Sequence, residues 1–214
     1  QNRENMKIEK GFGFIKSHSS YVSMFNNWFT TLNNTAGYIY IIRDPRDVAI
    51  SWSKHANLSY DDSISFMLNF NSCIEWAQTN SELPDKIKPK TFLSSWDEHV
   101  LSWTKNSLEV PKLVLKYEDL VYKKEEVVKI IVKFFEKNFK IKLNSNDEKI
   151  ANIVKSTSFE KLKLQESKYG FAEASSGAFF RRGEKNQWKS ELNLQQIARL
   201  ENKFRDFINK FSYD

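Results

Sequence analysis

The sequence predicts an α/β protein: a three-layer α/β/α arrangement around a central parallel sheet. Two stretches carry that expectation. "GYIYII" (37–42) and "KLVLKYEDL" (112–120) are apolar runs without polar alternation, the pattern of strands covered on both faces. Each leads into a helical pattern, and strands alternating with helices build layered α/β domains.

The elements follow in order. "GFGFIKSH" (11–18) reads as a short strand through Phe12, Phe14 and Ile15, ending in a basic, polar tip. Residues 21–33 read as a helix rich in aromatics. After "GYIYII", Asp44 suits a helix N-cap and Pro45 a first helical position. The helix then runs through "RDVAISWSKH", with Val48, Ala49 and Trp52 on one side. Residues 60–78 and 94–106 read as helices. Beyond the second strand, "KKEEVVKIIVKFFEKNF" places Val127, Ile131, Phe134 and Phe135 at helical spacing, which predicts an amphipathic crossover helix. Short helices are expected near 147–154 and 158–164, and a loop over 166–188. A last helix, 194–211, carries Ile197, Leu200, Phe204, Phe207, Ile208 and Phe211 on one stripe.

A chain of 214 residues fits a single domain, 1–214, with a real hydrophobic core. Hydrophobic residues make up 40% and charged residues 28%, which excludes a disordered chain. The formal charge of +6 favours anionic partners. It lacks the clustering expected of a nucleic-acid binder, so no nucleic-acid partner is expected. The lone cysteine, Cys73, allows no intramolecular disulfide and no cysteine-based zinc site. No run of about 18 apolar residues is present, so no membrane partner is expected. "QNRENMKIEKG" lacks the apolar core of a signal peptide. A cytoplasmic location follows as an expectation. The chain opens on Gln1 rather than methionine, which suggests a start partway through a longer protein.

In such folds ligands gather at the carboxyl ends of the strands. Three tips here carry chemistry: Lys16 with His18, Arg43, and Tyr117. A guanidinium beside a helix start can bond two oxygens of a phosphate, and Arg43 fits that role. The plainer alternative is an ion pair with Asp44 or Asp47. In "FFRRGEKNQWK" (179–189), Arg181 and Arg182 precede Gly183, a pattern that suits either a multiply charged phosphate or a solvated basic loop. In "KSH", His18 can take a proton at neutral pH and Lys16 can stabilise developing negative charge, although a structural or merely exposed histidine looks the same. His55 and His99 have no evident partner and no assigned role. "STSFEKLK" (156–163) reads by itself as a helix start with Phe159 in the core. There is no Walker loop, no glycine fingerprint at a strand end, no metal-ligand spacing and no nucleophile elbow.

In order along the chain, "KSH", "IIRDPRDVAIS", "WDEHVLSW", "LVLKYEDL", "STSFEKLK" and "FRRGEKNQWK" resemble the cytosolic-type sulfotransferases, from about residue 12 to about residue 200. The resemblance implies a P-loop NTPase-like fold. It implies sulfonate transfer from 3′-phosphoadenosine 5′-phosphosulfate (PAPS) to an acceptor hydroxyl or amine, leaving adenosine 3′,5′-bisphosphate. By it, Arg43 and Ser51 bind the donor's 3′-phosphate, and Arg181, Arg182 and Gly183 grip the same group. Tyr117, Thr157, Ser158 and Phe159 contact the adenine. His18 is the catalytic base, and Lys16 stabilises charge on the leaving phosphate. No metal is implied.

The departures from the family pattern are specific. Asn186 and Gln187 replace a glycine and an aspartate ahead of Trp188 and Lys189. The family's dimer motif is poorly kept at Lys189, Asn193, Leu194 and Ala198, so oligomeric state is left open. The loop that holds the 5′-phosphosulfate has no counterpart in residues 1–15. The expectation is a missing N-terminal portion and poor catalysis by these residues alone. The acceptor is expected to be a small molecule, with Tyr60, Phe66, Phe70, Trp76, Tyr169 and Phe171 as candidate pocket aromatics. A non-catalytic bisphosphate binder and a kinase-like enzyme are the alternative readings.

Overall fold

The unalternated stretch Tyr38–Ile42 is a strand, and Lys112–Lys116 is the strand hydrogen-bonded beside it. The computed structural model describes residues 13–24, 26–75, 90–105, 108–174 and 177–213. Along them run β1 (Ser23–Met24), β2 (Asn27–Trp28), β3 (Tyr38–Ile42), α1 (Pro45–Ala56), α2 (Tyr60–Leu68), β4 (Cys73–Glu75), β5 (Lys90–Phe92) and α3 (Trp96–Thr104). Then come β6 (Lys112–Lys116), α4 (Tyr117–Tyr122), α5 (Lys124–Phe139), α6 (Asp147–Ser156), α7 (Phe159–Tyr169), α8 (Trp188–Glu191) and α9 (Leu194–Lys210). The class is α/β with a parallel sheet. Contacts fall into two compact units, one of the residues up to Tyr38 with Phe66–Pro111, the other of Ile39–Ser65 with Lys112–Asp214.

The second unit holds the parallel pair. Both strands deliver side chains at the same end: Arg43, after β3, lies over the ring of Tyr117, which follows β6. Asp44 caps α1 by accepting from the Arg46 amide, and Pro45 is the first helical residue, as the sequence predicts. Helix α9 packs along α1 and buries Leu200, Phe204 and Ile208. Asn193 and Gln196 close a reciprocal capping box at its start. Ile42, Ala49, Ile50, Leu115 and Val127 add to this core.

Arg46 pins several of these elements together. Its guanidinium is buried, bonds both oxygens of Asp44, and donates to Glu201 at 2.6 Å and to the Tyr213 carbonyl at 2.7 Å. It also stacks 3.8 Å over the Trp188 ring.

The first unit departs most from expectation. Residues 13–18 form no strand, and Phe14 and Ile15 are 80% and 55% exposed. Residues 11 and 12 lie outside the described residues. The expected helix at 21–33 is instead a turn between β1 and β2, with Asn26 in the left-handed region at φ 63. Consecutive asparagines favour that turn over a helix. Its aromatics form a cluster instead of a helical stripe, with Tyr21 stacked on Trp28 and Trp103 against Tyr21, Phe29 and Tyr38. The helix expected through 78 stops at Leu68, where Asn69 folds back on the Asn71 amide and β4 begins. The expected strand 112–120 becomes helical from Tyr117, and α7 runs on to Tyr169, into the expected loop.

Candidate functional site

The predicted site residues fall into two sets, one in each unit. In the second unit Arg43 leaves the end of β3 with its side chain 17% exposed. Its Nη2 donates to the Glu184 carbonyl at 3.1 Å and lies 3.9 Å from Asp47 Oδ2. The guanidinium sits 4.4 Å over the Tyr117 ring. Its Nε is buried with no hydrogen-bond partner. A buried donor left in that state costs roughly 1–3 kcal/mol, so an acceptor arriving there gains correspondingly.

The loop after α7 brings two further guanidiniums. Burial holds Arg181 below the ordinary arginine value; Glu191 opposes this, and the positive charges of Arg43 and Arg182 reinforce it. Arg181, Arg182 and Glu184 border one depression, and Arg43 bonds the Glu184 carbonyl. Arg182 donates to Glu191 Oε1 at 3.0 Å, and the other oxygen of Glu191 accepts from the Tyr60 hydroxyl. Of the two readings of Arg43, the ion pair with Asp47 is present.

Gly183 has φ +66, and a Cβ there would fall 2.6 Å from Phe159 Cδ2. Only glycine fits both the conformation and the approach. Phe159 opens α7, and Ser158 caps it by accepting from the Lys161 amide at 3.3 Å. The Thr157 carbonyl accepts from Lys124, whose ammonium burial holds below its usual range. Phe159, Arg181 and Arg182 line an open depression of about 570 Å³ with Glu160, Lys163 and Leu164. Ser51 lies on α1, half-buried. At 1.5 Å per residue it stands roughly 10 Å along the axis from the N-cap.

What holds the loop against the strand is Asp47, a residue considered from sequence only as a plain partner of Arg43. Its side chain is 0% exposed. One carboxylate oxygen accepts from the Asn186 amide at 2.7 Å, the other from the Trp188 amide at 3.1 Å. Burial pushes its pKa up, while Arg43 and the two amides oppose that.

In the first unit, Lys16 and His18 lie on the irregular segment before β1, and both are exposed. Helix α3 grips the backbone that follows. His99 Nε2 bonds the His18 carbonyl at 3.1 Å, and Trp103 Nε1 donates to the Ser19 carbonyl at 2.9 Å. The Tyr21 amide donates to Ser102 Oγ at 3.0 Å. Positions 99, 102 and 103 share one helix face, so these bonds form a ladder along an extended chain. A carbonyl only accepts, so His99 carries its proton on Nε2. Burial lowers its pKa, against a smaller opposing effect of the His18 carbonyl. The sequence reading gave His99 no role; the signal available was its place in "WDEHVLSW". Among the described residues no group of histidine, cysteine and carboxylate side chains could hold a metal. No helix of the described residues is long and apolar enough to cross a membrane.

The sulfotransferase domain family model matches residues 2–212. The amine sulfotransferase of Oryctolagus cuniculus is 26% identical over 195 residues, covering 85% of this chain and 59% of that protein. The luciferin sulfotransferase of Photinus pyralis is 25% identical over 214 residues, covering 95% of this chain and 52% of that protein. The chain thus spans somewhat over half the length of these curated relatives. Two solved structures share the fold. Mouse sulfotransferase SULT7A1 complexed with PAP superposes with a TM-score of 0.57 at 22% identity, over 79% of this chain and 58% of that one. Retinol dehydratase in complex with androsterone and inactive cofactor PAP gives a TM-score of 0.55 at 23% identity, over 79% of this chain and 46% of that one.

Proposed function

This chain belongs to the sulfotransferase domain family, and from that membership we propose that it takes part in moving a sulfonate group from PAPS to a hydroxyl or amine of a small acceptor. The observation that carries the reading is the buried, unpartnered Nε of Arg43 at a strand end bonded to the Arg181–Arg182 loop through the Glu184 carbonyl, beside an aromatic ring seated against Gly183. Mutually repelling guanidiniums are a poor structural device and a good dianion site. That donor is the source of the sulfonate. Its 3′-phosphate would be held by Arg43, Ser51, Arg181, Arg182 and the Gly183 backbone. Tyr117, Thr157, Ser158 and Phe159 would hold its adenine.

His18 takes the acceptor's proton while the acceptor oxygen or nitrogen bonds to sulfur. The bond between sulfur and the phosphate oxygen breaks, and adenosine 3′,5′-bisphosphate leaves with its charge met by Lys16. Positioning and fixed charge do most of such work. Ionised lysine and arginine suffice for the charge, so no metal is invoked. A small-molecule acceptor fits the family, and the names of the relatives, an amine and a luciferin sulfotransferase, fit a small amine or phenol. A single domain in the cytoplasm completes the reading.

Transfer of radiolabelled sulfonate from PAPS to a panel of small phenols and amines tests it, with the natural protein carrying any upstream segment. Labelled product is the expected result. Tighter binding of ATP than of adenosine 3′,5′-bisphosphate overturns the donor assignment, and bisphosphate binding without transfer to any acceptor leaves a binding module.

A further inference from the structure

Residues 43 and 181 are far apart in sequence, yet Arg43 bonds the Glu184 carbonyl of the loop that carries Arg181, bringing cations of like sign together. Some group must hold them there against repulsion. Asp47 lies one helical turn after Arg43, inside α1, with its carboxylate shut away from solvent. A buried carboxylate beside a phosphate site is at first sight the wrong charge in the wrong place, since it weakens the field that attracts an anion.

Its hydrogen bonds explain it. Both oxygens are used, each on a backbone amide of the arginine loop, at Asn186 and Trp188. Those two amides converge because Asn186 stands at φ 61, a left-handed conformation that asparagine tolerates better than most side chains. The same loop returns a contact, the Glu184 carbonyl accepting from Arg43. Strand end and loop are thus stitched twice within a few residues, and the Trp188 ring is stacked on by Arg46.

We propose that Asp47 is a positioning residue of the phosphate site, its carboxylate fixing the 181–188 loop so that Arg181 and Arg182 face the same oxygens as Arg43. The inference rests on the donor reading above. It makes a distinctive demand on sign. If Asp47 were only a nearby negative charge, neutralising it would tighten anion binding. As the clasp of the loop, its loss loosens binding of the group the loop grips.

The test is calorimetric titration of Asp47→Asn and the unaltered protein with adenosine 3′,5′-bisphosphate and with adenosine 5′-monophosphate. Asparagine keeps the shape but faces one loop amide with a second donor. The expected result is about tenfold weaker binding of the bisphosphate, with the monophosphate changed by less than about twofold. Equal or tighter bisphosphate binding overturns the inference and leaves the donor reading standing. An unaltered protein with no preference for the bisphosphate overturns both. Should the variant fail to fold, amide exchange of the unaltered protein gives the answer: bisphosphate should slow exchange at Asn186 and Trp188 where monophosphate does not. Equal effects of the two nucleotides there overturn the proposal.

Discussion

The ring of Phe159 fills the space that a side chain at residue 183 would need, with Cδ2 2.6 Å and Cε2 2.7 Å from where a Cβ would stand. The ring is itself braced edge-on by Phe180 at 6.1 Å. A methyl group at 183 therefore meets an aromatic with little room to retreat, on a backbone that side chains rarely adopt.

Gly183→Ala should cost about 1–3 kcal/mol from conformation alone, with the displaced ring adding to it. A lower melting temperature together with weaker binding of adenosine 3′,5′-bisphosphate is the expected pair of results. A variant with unchanged melting and binding would show that the ring swings aside freely.

Arg43→Ala removes the guanidinium that stacks on Tyr117 and carries the buried Nε. A charge-assisted bond to phosphate contributes roughly 1.5–3 kcal/mol, which is about 10–100-fold in affinity. The loss should appear for the 3′,5′-bisphosphate and be small for the 5′-monophosphate. Titration with both nucleotides separates a phosphate contact from general damage, because damage would weaken both alike.

His18 is exposed, so His18→Ala should leave thermal stability close to unchanged. Its effect belongs in turnover, where loss of a general base costs about 10²–10⁴-fold. Wild-type turnover in this variant would remove His18 from the mechanism.

The α3 ladder predicts a different signature. Trp103→Phe keeps an aromatic ring against Tyr38 but loses the donor to the Ser19 carbonyl. An unpaired buried carbonyl costs roughly 1–3 kcal/mol. Turnover should fall by about tenfold, while bisphosphate affinity, which the proposal assigns to the guanidiniums, stays within about twofold. Ser102→Ala should speed hydrogen exchange at the Tyr21 amide, and unchanged exchange would mean that the amide is protected by something else.

His99 gives a pH dependence with a definite sign. Its folded pKa lies below the unfolded value of about 6.5, so between the two the unfolded chain binds more protons. Stability is full above about pH 6.5 and declines as pH falls through the window beneath it. Asp47 and Glu118, whose carboxyls burial pushes upward, work in the opposite sense and in a more acidic range. Urea melts at pH 7.5 and pH 6.0 should show a loss that His99→Gln reduces; an equal loss in both proteins would exclude His99 as its source.

Much of the second unit was legible from sequence because its signals are local. The unbroken apolar run of β3, the Asp44 and Pro45 start of α1 and the stripe of α9 each declare themselves within a few residues. The first unit was misread where aromatics masqueraded as a helical face: Phe29 packs on Trp103, remote in sequence, and Asn26 turns the chain between Tyr21 and Trp28, which stack. The loop contact of Asp47 and the role of His99 were passed over for a related reason. Each residue bonds backbone, and a backbone partner at 186 or 18 leaves no mark of residue type. Glu191 was missed for another reason: its side-chain partners, Arg182 and Tyr60, meet only in the fold.

The buried guanidinium of Arg46 reaches residues 44, 188, 201 and 213. Translation releases the early partners first, and the last of them emerges 167 positions after Arg46 itself. Until residue 188 emerges, its only partner of these four is Asp44, and the start of α1 stays unjoined to the C-terminal elements. During synthesis this half of the molecule must therefore wait for its final helix, through the interval in which nascent chains are most exposed to chaperones and to misassociation.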